Sequence, residues 1–434
     1  MSDSYLLIKN ARIPLKDSRF HKRQSLLIRK PERKAGIIEQ IGDVEPTERM
    51  KPYDAAGAYA FPAFCDMNCT LLEPGLDESR SVLSSTVSAA AGGYSALLVC
   101  DRDFKRFSDT DSFCRLIFAL PYDEIGKADR LDEAVAFGAR LDKVLPDEEQ
   151  LYQDREKAKF VSDINSPIDD PLLLLNVMRS CAEQGRIFYT RCSDQRLEKN
   201  GVIAAGEVSR MLGVMGIPES AEEIAAAKCL ILAKETGCRL HITQVSTKGT
   251  VELIREAKAR GVHVTCDTSP LYFSMNENDI LYYGTYAKVI PPLRKEESRI
   301  AVAEGLLDGT IDCISTAHRP ISDASKRRSI GKAEPGAVGF QTAFSAAVSY
   351  LVNKYNLGIG RLAELMAANP AKILGIGGHT LKEGEQADIV ICDPSKEFIV
   401  TKSLLKSRSS NTPFLGLTLN GITLETFICG VPQF

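Results

Sequence analysis

The sequence predicts a (β/α)₈ TIM barrel of the α/β class, with a small β-sandwich assembled from both chain ends. Three observations lead there. Apolar strand-like runs alternate with helical stretches through the middle of the chain. Both ends are rich in short strands and poor in helix. A length of 434 residues suits one large barrel with an accessory domain.

At the start, SYLLIKNARI, QSLLIRK and AGIIEQIG alternate or run apolar and end in turns, so residues 1–58 read as strands. Residues 381–434 look alike, with ADIVICDP, EFIVT, LGLTLNG and TLETFICG. One sandwich drawn from both ends places the entry and exit of the 59–380 barrel side by side. Within that segment the helix-like DESRSVLSSTVSAAAGG precedes the strand YSALLVC, and KAKFVSD precedes DPLLLLNVMRSCAEQG. RIFYTRC, AEEIAAAKCLILAKETG, RLHITQVS, TVELIREAKARG and VHVTCD continue the alternation, with TIDCISTA and GFQTAFSAAVSYLVNKY after them. Helical stretches carry apolar residues three and four apart and close on Gly. Repeated βα units predict a parallel sheet with helices outside. A doubly wound sheet is the alternative, but neither G-x-G-x-x-G after a strand nor G-x-x-x-x-G-K-[ST] occurs to support nucleotide binding.

Composition narrows the function classes. Hydrophobic content of 44%, charged content of 26% and a net charge of -3 describe an ordinary globular chain, with no basic excess for nucleic acid or anionic membrane. No apolar run reaches spanning length and MSDSYLLIKNARIPLKD has no signal-peptide core, so a cytoplasmic protein off the membrane is expected. None of the twelve cysteines forms a Cys-x-x-Cys pair, so most are expected to be buried apolar side chains rather than structural zinc ligands.

Chemistry in such a barrel belongs just past the strand ends. There stand Asn68-Cys69-Thr70 and Leu72, then Ser162-Asp163, Arg191-Cys192-Ser193-Asp194, Gln244-Val245-Ser246-Thr247 and Ala317-His318-Arg319-Pro320. With these residues a family resemblance becomes specific. FPAFCDMNCTLLEPG is similar to the dihydroorotase segment Pro-Gly-x-x-Asp-x-His-x-His-x-Arg-x-Pro-Gly. LHITQVSTKGTVELIREAKARGVHVTCDTSP resembles that family's His-x-x-His-Val-Ser-Thr unit. PPLR resembles its Asn-Pro-Pro-Leu-Arg loop, and ISTAHRPISDASK its Asp-His-Ala-Pro-His segment. PGAVGFQTAF, NPAKILG, LKEGEQADIVICDP and NTPFLG follow in the family's order. The resemblance implies the metal-dependent amidohydrolase barrel, a zinc centre and hydrolysis of a cyclic amide in pyrimidine biosynthesis.

Carried over residue by residue, the functional positions differ. The paired metal-ligand histidines fall on Asn68 and Thr70, and two later ones on Arg191 and Gln244. Asp163 matches the bridging position. The catalytic Asp falls on Ala317, the substrate-carboxylate Arg on Leu72 and the loop Asn on Ile290. His318 keeps the residue beside the lost Asp. Zinc needs imidazoles or carboxylates converging at about 2.0–2.2 Å. Amides, a hydroxyl and a guanidinium replace them, Arg191 repels a cation, and Ala317 accepts no proton.

The resemblance therefore implies a degenerate member with no zinc at the usual site and no catalytic residue of its own. Inactive chains of the family assemble with aspartate carbamoyltransferase, so that enzyme or a homo-oligomer is the expected partner. The alternative is an active dihydroorotase or related cyclic amidohydrolase with an atypical site, for which Asp163, Asp194, Asp267, His318 and the cysteines are the available donors. Arg191, Arg319 and Arg102 are expected to pair with Asp163, Asp194 and Asp101 rather than bind an anion. His241 and His263 fall inside strand patterns, as satisfied core or strand-end residues. Lys326-Arg327-Arg328 reads as a solvated loop, and Glu222 and Glu223 as acids complementing a helix dipole.

Overall fold

A computed structural model describes residues 3–14, 22–32, 34–100, 112–124 and 159–434. His21, Asp101 and Arg102 lie outside the described residues. Strands from both chain ends share one eight-stranded sheet. Ile389–Ile399 runs antiparallel to Tyr59–Pro62, with Val390 opposite Phe61 and Ile391 opposite Ala60. Ser4–Arg12 pairs with Arg23–Lys30, which pairs with Ile37–Gly42. Leu6, Ile8, Leu26, Ile28, Ile389, Ile391 and Phe427 fill the core of this terminal β-sandwich. Tyr59–Pro62 belongs to that sheet and runs straight into the first barrel strand.

The barrel strands are Phe64–Cys69, Tyr94–Val99, Arg115–Phe118 with its extension Leu120–Pro121, Phe160–Ser162, Ile187–Thr190, Arg239–Ile242, Val264–Thr268 and Cys313–Ile314. Every neighbouring pair is parallel, for example Leu97 with Leu116, Phe188 with Leu240 and Ile242 with Cys266. A bridge from Cys69 to His318 closes the ring. The strands are short and buried on both faces, as a parallel sheet covered by helices requires.

The helices start and stop where local chemistry predicts. Asp77 caps Glu78–Ala91 through the Arg80 N–H. Asp170 caps Pro171–Glu183, with Pro at the first helical position. Gly237 ends Ser220–Thr236 in the left-handed conformation at φ 68°. All twelve cysteines are free, eleven are buried and Cys429 is partly so. Among the described residues no helix is long and apolar enough to cross a membrane.

Glu222 stands in the first turn of Ser220–Thr236, as expected, and its carboxylate is buried there. Its Oε1 accepts the main-chain N–H groups of Ser246 (2.9 Å) and Thr247 (3.1 Å), and its Oε2 accepts the Ser246 hydroxyl. Arg294 of the Pro-Pro-Leu-Arg loop lies 3.4 Å away, with both side chains almost fully buried. The helix is therefore clamped to two loops at the strand ends. Removing one partner of a buried ion pair leaves an uncompensated charge, so Glu222→Ala is expected to lower stability by about 3–5 kcal/mol in urea denaturation. A loss below about 1 kcal/mol, the range of exposed pairs, would contradict that role.

Candidate functional site

Nine of the residues singled out by position line one cavity of about 450 Å³ at the carboxyl ends of the strands: Asn68, Thr70, Leu72, Arg191, Gln244, Ile290, Ala317, His318 and Arg319. Cys100, Asn165, Tyr272, Ile321 and Glu334 are among its other walls. Asp163 is buried nearby without reaching the lining. The strand ends thus gather positions spread over some 250 residues of sequence, from Asn68 to Arg319.

A mesh of amides and hydroxyls occupies the floor. Asn68 donates to the Tyr189 hydroxyl at 2.9 Å and to Thr243 Oγ1 at 3.0 Å, while its Oδ1 accepts from Gln244 Nε2 at 3.4 Å. Tyr189 passes its own proton to the Met67 carbonyl at 2.7 Å and stacks on His241 with an interplanar angle of 6°. Thr70 donates from both its N–H (2.9 Å) and its hydroxyl (3.2 Å) to the His318 carbonyl. Asn68 thereby uses both amide donors and its acceptor on protein neighbours.

Two buried carboxylates hold the main chain around the mesh. Asp66 accepts the Thr316 N–H at 2.8 Å, the Thr316 hydroxyl and the Asn68 N–H at 3.2 Å. Asp267 accepts from the Gln244 N–H (3.1 Å) and Ser315 hydroxyl, and pairs with His241 Nε2 at 2.9 Å. Burial pushes Asp66 up to about 7, against the hydrogen bonds it accepts. Between these supports Gln244 and Ala317 take the left-handed conformation, with φ of 59° and 51°. A side chain there is strained and persists only where the surroundings over-determine it.

The His318 main-chain N–H donates to Thr316 Oγ1 at 3.0 Å, but its ring has no such partner to donate to. Its Nδ1 accepts the Gly339 N–H at 3.2 Å, its ring stacks on Phe340 with centroids 3.9 Å apart, and its buried Nε2 has no hydrogen-bond partner. Burial lowers its pKa to about 3, which keeps the ring neutral. Asp163 accepts the Ile168 N–H at 3.2 Å through Oδ2, while Oδ1 is buried and unpartnered. Its pKa is pushed to about 6, again by burial, with the nearby Thr190 hydroxyl opposing.

Two expectations need correcting. Arg191 pairs with Glu198 at 3.3 Å, not with Asp163 or Asp194. Asp194 instead caps the Gln195–Glu198 turn of helix, and this places Glu198 beside the guanidinium. Lys326 is no solvated loop residue: it is 2% exposed, and its Nζ donates to the carbonyls of Thr285 (2.9 Å) and Lys288 (3.2 Å). A basic run carries no record of the loops that fold over it, so sequence reasoning missed the burial of Lys326.

The zinc that the resemblance implies does not fit this donor set. Among the described residues, no group of three or more His, Cys, Asp or Glu side chains is gathered to hold a metal ion. Asp194 is committed to a helix cap, Asp267 to His241 and two donors, and His318 reaches no other such side chain. Amide and hydroxyl groups already bonded to one another offer zinc little.

The ring of parallel strands, the terminal sandwich and the strand-end cavity define an amidohydrolase-type barrel, and residues 158–432 match the Amidohydrolase family. The chain belongs to that family and, within it, to the dihydroorotases. It is 37% identical over 395 residues to a dihydroorotase from Caldicellulosiruptor saccharolyticus, covering 90% of each chain. It is likewise 37% identical over 397 residues to one from Thermoanaerobacter sp., covering 91% of this chain and 90% of the relative. Among solved structures it superposes on L-hydantoinase from Arthrobacter aurescens with a TM-score of 0.80 at 23% identity, covering 98% of this chain and 95% of that one. Dihydropyrimidinase from Brevibacillus agri gives 0.79 at 17%, with coverage of 99% and 94%. At those identities the two structures show a shared fold.

Lys326 supplies a test of the packing around the Thr285 and Lys288 carbonyls. Burial, reinforced by Lys288 and Arg319, lowers its pKa to about 7, below the unfolded value. The unfolded chain then binds the extra proton between pH 7 and the ordinary lysine range, so stability rises with pH across that window. A slope of about 1.4 kcal/mol per pH unit is expected above pH 7.5 and is lost in Lys326→Met. Equal slopes in the two proteins, read by urea denaturation at several pH values, would refute the buried amine.

Proposed function

We propose that this chain is a dihydroorotase-like protein without metal-dependent hydrolysis, serving in the cytoplasm as a structural or regulatory subunit. The observation that carries this reading is the closed mesh of Asn68, Tyr189, Thr243 and Gln244 where the family's metal ligands would stand. A hydrolytic metal lowers the pKa of its bound water to about 7, and nothing among these amides and hydroxyls replaces that effect. Ala317 supplies no base at the position of the family's proton acceptor. Leu72 and Ile290 supply no charge or amide for a substrate carboxylate.

Aspartate carbamoyltransferase is the proposed partner, on the family resemblance, with a homo-oligomer as the other arrangement. Leu172 and Leu173 on one outer helix, and Ile224 and Ile231 on the next, are exposed, which suits a chain used for its surface.

One observation favours a second reading, an active cyclic amidohydrolase with an atypical site. Asp163 keeps a buried, unpartnered oxygen and a pKa of about 6, suited to a general base.

Metal analysis with a dihydroorotate assay separates the two. The purified chain is expected to hold far less than one zinc per molecule and to show no turnover above background. Stoichiometric zinc together with turnover abolished by Asp163→Asn would establish the second reading instead. For the partner, co-expression with aspartate carbamoyltransferase is expected to give a co-purifying complex whose transferase activity falls when this chain is left out. Separate elution with unchanged activity would remove that partner.

A further inference from the structure

A second cavity, of about 480 Å³, shares no lining residue with the first. Gly206, Glu207 and Arg210 form one side, on the excursion between Ile187–Thr190 and Ser220–Thr236, and Glu277 and Lys295 form the other. Its volume lies within the usual range for small-ligand sites.

Glu277 is the feature that needs an explanation. It is 8% exposed, its main-chain N–H is fixed on the Arg294 carbonyl at 2.8 Å, and its buried Oε2 has no hydrogen-bond partner. An unsatisfied buried carboxylate oxygen costs more than a typical hydrogen bond returns. Gly206 makes room for it: a Cβ at that position would stand 2.3 Å from Oε2. Gly206 has extended backbone at φ -177°, so space rather than conformation calls for glycine there.

The charges around this carboxylate are balanced yet not paired with it. Arg210 and Lys295 are exposed at the mouth, and neither lies within ion-pair distance of Glu277 among the described residues. Burial raises the Glu277 pKa most, Lys295 and Arg210 oppose that, and Glu219 and Glu207 add to it. A lone cation entering here meets two positive side chains, and a lone anion meets two carboxylates. A molecule with an ammonium and a carboxylate a few ångströms apart complements both sets.

We propose that this cavity binds a free α-amino acid, with its ammonium against Glu277 and its carboxylate against Arg210 and Lys295. The side chain of the ligand points out past Glu207. The site stands apart from the strand-end cavity and does not depend on whether that cavity hydrolyses anything. The two are physically joined, because Glu277 hangs on the main chain of Arg294, whose side chain is clamped by Glu222. An amino acid held at Glu277 would therefore bear on the loop that carries Ile290.

The test is a thermal-shift screen of the full chain against the standard α-amino acids, each at about 10 mM to reach weak binders. Propylamine and propionate serve as half-ligands carrying one charge each, and calorimetry follows on any hit. At least one amino acid is expected to raise Tm while both half-ligands leave it unchanged. Glu277→Gln is expected to weaken the calorimetric Kd by about tenfold or more. Arg210→Ala, at an exposed position that folding does not need, is expected to weaken it as well. Silence across the amino acids would overturn the proposal. So would an equal shift from either half-ligand, or unchanged binding in Arg210→Ala or a folded Glu277→Gln.

Discussion

The carboxylate of Asp66 is the point on which the barrel and its cavity both rest. It binds the main chain on each side of the seam where the last strand meets the first, through Thr316 and Asn68. Asp267 does the same between the Gln244 N–H and Ser315. Burial makes the loss of such hydrogen bonds expensive. With them in place, Gln244 and Ala317 are held in left-handed backbone that neither residue prefers. The frame holds a strand-end rim whose cavity-facing residues include Asn68, Thr70, Leu72, Arg191, Gln244, Ala317, His318 and Arg319.

That separation of frame from chemistry leaves the cavity-facing side chains free to vary within one fold. Packing, barrel closure and the Glu222–Arg294 clamp depend on residues facing inward or toward neighbouring loops. Metal binding would depend on a handful of side chains facing the cavity. The second set can change without disturbing the first, provided each buried polar group finds a partner. Asn68 does so fully, using both donors and its acceptor. His318 Nε2 and Asp163 Oδ1 do not.

The fold was legible because its signals are local and repeated. Apolar runs of strand length, three- and four-residue helical spacing and closing glycines recur along the chain, and each maps onto an element found in the structure. The cavity was legible at nine positions because a parallel barrel brings every strand end to one rim. What sequence reasoning missed has long-range causes. Glu222 is the helix-start acid it reads as, but only the fold brings the Ser246 loop over it, and Lys326 reads as part of a basic run until the Thr285 and Lys288 carbonyls enclose it. Arg191 finds Glu198 rather than a nearer aspartate, because Asp194 is already engaged as a helix cap.

The central claim is that a hydrogen-bond mesh of Asn68, Tyr189, Thr243 and Gln244 stands where this family's metal would be held. Crystals soaked in a zinc salt, with anomalous diffraction recorded at the zinc edge, test it most directly. The account predicts no anomalous peak among Asn68, Thr70, Asp163, Arg191 and Gln244, and the Gln244–Asn68–Tyr189 bonds unchanged. A peak there at about 2.0–2.2 Å from side-chain donors, with those bonds broken, would contradict it.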